Sequence, residues 1–124
     1  MKALAFLTLL CLVVLATSSW HTPWFNKHKV EYNKYDDIYS RLFVPCEGGS
    51  GNYHFRYYNL PYHWDYRGKY LYVPENRFSY FKRYYVQASV YDIYWKVYLK
   101  RTLVFTFSPN YAVKVYVRPF EKEE

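Results

Sequence analysis

Hydrophobic and polar positions alternate with a period of two through most of the chain after Asn52, the spacing of half-buried strands rather than of helices. Tyr53, Phe55 and Tyr57 share one face against His54, Arg56 and Tyr58, and Leu71 and Val73 oppose Tyr70 and Tyr72 between breakers at Gly68 and Pro74. Tyr80 to Ala88 reads as a further strand. Tyr91, Ile93, Trp95, Val97 and Leu99 alternate with Asp92, Tyr94, Lys96 and Tyr98. A helix capped by Ser89, with an Asp92 to Lys96 pair, competes there, but the β-branched and aromatic content favours a strand from Tyr91 to Leu99. Leu103, Phe105 and Phe107, then Ser108-Pro109-Asn110, then Val113, Val115 and Val117 spell a hairpin with a proline-containing turn.

The first half is less regular. Asp36 to Val44 fits a short helix, through Ile38, Leu42 and Phe43, or a strand, through Ile38, Ser40, Leu42 and Val44. Residues 20–35 have no clear period and read as an irregular arm that could dock through Trp20 and Trp24. The run 45–52 gathers three of the four glycines and reads as a flexible loop. Short strands between frequent turn signals predict an all-β domain, a small antiparallel sandwich or partly open barrel.

At the N-terminus, Lys2, the apolar run Ala3 to Ala16 and the small residues Thr17, Ser18 and Ser19 follow the order of a cleaved secretory signal over 1–19. The apolar run is shorter than the roughly 20 residues of a spanning helix. The expected mature protein is a single secreted domain over 20–124 that ends in a charged tail at 121–124, with no membrane attachment after cleavage. Cys11 leaves with the signal, so Cys46 stands alone in an oxidising compartment, as a candidate intermolecular disulfide or as a buried small hydrophobe. A disulfide-stapled scaffold is excluded.

Candidate chemistry is sparse. Gly48-Gly49-Ser50-Gly51-Asn52 lacks the glycine that a nucleophile elbow needs two places after the serine. Cys46 with His54 or His63 is a match of composition, not of spacing. His21, His28, His54 and His63 show no zinc spacing, and the adjacent Asp36 and Asp37 point to different sides of any element. The sequence assigns no catalytic, cofactor or metal site, and an enzyme ranks last.

Composition changes the picture more. Aromatic residues make up 25% of the chain, 18 of them Tyr, with a net charge of +7. So much aromatic surface argues against disorder. Each ring needs on the order of 150–250 Å² of cover, more than one small core offers to all of them. A good share of the phenols must therefore face solvent. Lys34-Tyr35, Arg67-Gly68-Lys69-Tyr70 and Arg83-Tyr84-Tyr85 set phenols beside cations, which suits adhesion by hydrogen bonding and cation–π contact, or oxidative phenol coupling. Tyr35, Tyr57, Tyr58, Tyr70, Tyr84 and Tyr85 are the candidate adhesion or cross-linking residues. Export argues against nucleic acid and for polysaccharide, chitin-like or polyanionic, for other matrix proteins, for mineral surfaces or for a second copy, with a disulfide-linked dimer among the outcomes.

The clusters Tyr57-Tyr58, Tyr84-Tyr85 and Tyr70-Leu71-Tyr72, with Tyr91, Tyr94 and Tyr98, resemble the Tyr-rich organic-matrix proteins of invertebrate hard tissues, notably mollusc shell layers. The likeness is one of composition across the mature chain and transfers no individual residue. It implies a secreted structural protein of an extracellular matrix, calcified or not, that works by self-association through sheet edges, adhesion or phenol cross-linking. The β-rich, charge-poor runs Thr102 to Phe107 and Ala112 to Val117 are the expected templates for self-association. The acidic tracts of calcium-binding matrix proteins are absent. A soluble secreted binding module of the salivary, venom or defence type, with an aromatic and basic face, is the alternative.

Overall fold

The computed structural model describes residues 22–120. The expected export signal over 1–19, Trp20 and the charged tail over 121–124 lie outside the described residues. Ten strands follow in order: β1 (Trp24–Phe25), β2 (Glu31–Lys34), β3 (Tyr39–Phe43), β4 (Cys46–Glu47), β5 (Tyr53–Tyr58), β6 (Asp65–Arg67), β7 (Tyr70–Pro74), β8 (Arg83–Asp92), β9 (Val97–Ser108) and β10 (Ala112–Pro119). A single 3-10 turn spans Lys27–Lys29. β10-β9-β8-β5 form the larger sheet, β2-β3-β7-β6 the smaller, and β1-β4 a two-residue ribbon, with every pairing antiparallel. The two four-stranded sheets pack as a sandwich, the first of the two expected all-β architectures.

Alternation builds the core. Phe55 and Tyr57 of β5, Tyr84, Val86, Ala88 and Val90 of β8, and Leu99, Leu103, Phe105 and Phe107 of β9 turn inward from the larger sheet. Leu42, Leu71 and Val73 meet them from the smaller one. Phe107 is the hub: its ring lies 5.0–6.4 Å from those of Tyr32, Trp64, Phe78, Tyr84 and Phe105. Burying side chains of this size contributes about 1.5–3 kcal/mol each.

Several expectations need correction. The segment Tyr91 to Leu99 is not one strand, because β8 ends at Asp92 and a turn over 93–96 leads into β9. Ser50 N–H and hydroxyl, Tyr94 N–H and Trp95 N–H all donate to the Asp92 carboxylate at 2.6–3.1 Å. The turn closes with the Lys96 N–H donating to the Asp92 carbonyl, Lys96 itself having φ of 55°. These bonds outweigh the β preference of Ile93, Tyr94 and Trp95, which are exposed. β8 starts at Arg83 rather than at Tyr80, because Phe81 takes φ of 67°. Asp36 to Val44 resolves as a turn leading into β3, with Ser40, Leu42 and Val44 buried on one face. Up to Val30 the arm is irregular apart from β1 and the 3-10 turn, but its last part, Glu31–Lys34, is a sheet strand. Phe25 docks it, whereas Trp24 is half exposed. Within 45–52, Cys46–Glu47 pairs with β1 and Ser50 is tied to Asp92, so this loop is fastened at both ends. Thr102 to Phe107 lies in β9, hydrogen-bonded on both sides, and offers no free edge.

Candidate interaction surface

The outward side of the larger sheet follows from the same alternation. β5 presents His54, Arg56 and Tyr58; β8 presents Arg83, Tyr85, Gln87, Ser89 and Tyr91; β9 presents Tyr98, Lys100, Thr102, Val104 and Thr106; β10 presents Lys114, Tyr116 and Arg118. Register sets them in rows: His54, Tyr91 and Tyr98; Arg56, Ser89 and Lys100; Tyr58, Gln87, Thr102 and Arg118; Tyr85, Val104 and Tyr116; Arg83, Thr106 and Lys114. Five phenols are interleaved with five Lys or Arg, and none of the outward residues on these four strands is acidic.

The centre of this face is covered: Gln87, Ser89, Thr102 and Val104 are all buried. Thr102 donates its hydroxyl to Gln87 Oε1 at 2.7 Å, and Val104, flanked in register by Tyr85 and Tyr116, is fully buried. Around it cations lie near rings: Arg56 by Tyr58 at 5.7 Å, Lys100 by Tyr98 at 5.6 Å, Lys114 by Tyr116 at 5.3 Å and Arg118 by Tyr85 at 5.9 Å. Tyr91 and Tyr98 are neighbours across β8 and β9, with ring centroids 4.6 Å apart. The Tyr116 phenol is held below its ordinary pKa by a hydrogen bond with Lys114 and by the charges of Lys114, Arg83 and Lys27. Arg83 and Tyr85 also line a cleft of about 560 Å³ that His63, Arg77 and Lys82 make basic.

Of the candidate residues, Tyr58 and Tyr85 lie on this face and are exposed. Tyr35 and Tyr70 belong to the smaller sheet's side, bridged by Arg41, whose guanidinium lies 5.6 Å and 4.3 Å from their rings. Tyr57 and Tyr84 are corrections, since both are core residues at 4% and 8% exposure. Tyr57 donates its hydroxyl to the Lys69 carbonyl, and the Tyr84 hydroxyl accepts from Ser79 N–H. Neighbours in a strand point to opposite sides, so Tyr57-Tyr58 and Tyr84-Tyr85 could each put only one ring outside. Tyr91 and Tyr98 stand out in the sequence as members of a Tyr cluster but not as candidate site residues, and Tyr116 stands out as neither. Their signal was the period-two interleaving of Tyr98 with Lys100 and of Tyr116 with Lys114 and Arg118.

Cys46 is half-buried beside β5 in a cleft of about 550 Å³ that His54 also lines, while His63 lies in the other cleft. Burial pushes its thiol up to about 12, well away from a nucleophile's range and from ready disulfide exchange. Among the described residues no group of three His, Cys, Asp or Glu is placed to hold a metal ion, and no helix is long and apolar enough to cross a membrane. Comparison with protein-family models, curated proteins and solved structures finds no match to this chain.

Proposed function

We propose that the chain is a secreted, Tyr-rich structural protein of an extracellular matrix that adheres through the outer face of its larger sheet and is set by phenol coupling between copies. The observation that carries this reading is the outward half of its tyrosines. Nine of the eighteen are exposed and only three are buried, and five outward phenols of one face stand among cations with no acid between them.

Such a face suits an anionic extracellular polymer. Rings lie flat on sugar faces, cations meet sulfate or carboxylate, and the excess of basic residues over acidic ones in the mature chain draws the polymer in. Coupling follows when two exposed phenols each give one hydrogen atom to an oxidant such as peroxide and join through their ring carbons, the peroxide being reduced to water. Edge-to-edge strand addition through β10, which holds the expected template Ala112 to Val117, is the weaker route to assembly, because this edge strand carries Lys114 and Arg118 and closes on Pro119.

The test is retention of the folded protein on an immobilised sulfated polysaccharide, compared with a neutral chitin-type matrix, as salt is raised. Retention on the sulfated support should fall by on the order of tenfold or more between about 50 and 200 mM salt, by analogy with other polyanions. Equal retention on both supports at all salt concentrations contradicts charge-led adhesion. In the tissue that makes it, the protein should sit in the insoluble, dityrosine-containing residue. Recovery as a free monomer from a fluid secretion would favour the soluble binding module instead.

A further inference from the structure

On the side of the sandwich where β7 ends and β9 turns into β10, a cleft of about 310 Å³ has walls unlike those of the basic face. Tyr32, Phe78, Tyr80 and Tyr111 line it, with Glu75 and Ser40 among its polar groups. The rings form a continuous arc. Tyr111 lies 5.4 Å from Tyr32, Tyr32 5.1 Å from Phe107, Phe107 5.0 Å from Phe78, and Phe78 5.6 Å from Tyr80. Phe107 is fully buried beneath, so the arc is anchored in the core rather than hung from loops.

Glu75 supplies the charge. Its Oε1 accepts from the Ser40 hydroxyl at 2.8 Å and from the Tyr111 hydroxyl at 2.8 Å, which fixes the carboxylate against the arc. Those two bonds hold its carboxyl below the ordinary glutamate value, so it is charged at neutral pH. Glu75 forms no ion pair among the described residues, and none of the cleft's lining residues is basic. An aromatic wall with one fixed carboxylate, on which the charges of Lys34 and Asp36 act in opposite senses, makes this an acidic cleft in a chain of positive net charge.

We infer that this cleft binds a small protonated amine, its ammonium group at Glu75 and its carbon skeleton against the rings of Tyr32, Phe78 and Tyr80. Ring faces attract a cation, by a modest amount at rings as exposed as Tyr80 and Tyr111. The carboxylate adds a charge-assisted hydrogen bond. The volume is at the lower end for small-molecule sites, which fits a monoamine and not a polymer. Hydroxyl and amide groups from Ser108 and Asn110, which also line the cleft, favour an ammonium that carries N–H over a quaternary one. An inorganic divalent cation is held best where several carboxylates converge, and Glu75 is the one carboxylate lining this cleft.

The experiment is a titration of the full chain with 2-phenylethylammonium, followed by calorimetry and by the ring resonances of Tyr80 and Phe78. Potassium chloride and the neutral 2-phenylethanol serve as controls. Saturable binding of the ammonium that shifts those resonances, with affinity at least tenfold above that of the alcohol, is expected. Glu75→Gln should lower affinity about tenfold, and Tyr80→Ala, on an exposed ring that folding does not need, by several-fold. Arg101→Ala, an exposed cation in β9 that lines neither cleft, should leave it unchanged. Equal binding of the alcohol, insensitivity to Glu75→Gln in a folded variant, or no saturation at millimolar amine would each overturn the inference. None of these outcomes bears on retention by a sulfated support.

Discussion

The Asp92 carboxylate ties the turn after β8 to the glycine-rich loop before β5, so its loss unhooks two segments together. Asp92→Ala should lower stability by about 3 kcal/mol, the cost of stranding several donors of a charged acceptor, read from urea unfolding. Burial works to raise the Asp92 pKa, but the Ser50 hydroxyl and the backbone donors of Trp95, Ser50 and Tyr94 bring it below the ordinary value. A carboxyl with a depressed folded pKa stabilises fully above its unfolded pKa of about 4, and that contribution is lost as pH falls through the folded value. The wild-type midpoint should therefore drop as pH is lowered below about 4, and Asp92→Asn should flatten that limb. At the surface, Lys114 sets the acidity of Tyr116. Spectrophotometric titration of Lys114→Ala should show the most acidic phenol ionising at higher pH than in the wild type, with stability at neutral pH unchanged.

Elements whose form depends on near neighbours were legible in the chain; those set by distant partners were not. The faces of β5, β7, β9 and β10 follow from alternation alone, because one side of each strand packs on the core. The turn between β8 and β9 escaped, since Ile93, Tyr94 and Trp95 carry strand-forming side chains and the bonds that override them come partly from Ser50, 42 positions away. Tyr72 lies on the outer face of its sheet and is nonetheless buried, by Tyr35 and Tyr39 rings at 5.0 and 6.4 Å and by Arg67 at 5.8 Å. No local pattern announces that cover. Within β9, Phe107 joins the rings of both sheets, and Phe107→Ala should cost about 3–5 kcal/mol, measurable as a shift in the unfolding midpoint without a change in strand content by circular dichroism.

Across the whole molecule charge and rings are sorted by side. The larger sheet turns Arg56, Lys100, Arg118, Arg83 and Lys114 outward with no acid among them. The carboxylates of Glu31, Asp36, Asp37, Asp65 and Glu75 belong to the smaller sheet and its turns. One face is thus basic while the other carries mixed charge, so the proposed adhesion should be oriented. Reversing two cations, Lys100→Glu with Arg118→Glu, should abolish retention on a sulfated support at physiological salt while leaving the unfolding midpoint nearly unchanged, because both side chains are exposed. The measurement closest to the central claim is a residue-by-residue map of dityrosine formed when the folded protein is treated briefly with peroxidase and hydrogen peroxide. Intermolecular links should join exposed rings, Tyr58, Tyr85, Tyr98 and Tyr116 among them, and spare Tyr57, Tyr72 and Tyr84. Links spread evenly over buried and exposed tyrosines, or a protein that stays monomeric under these conditions, would contradict it.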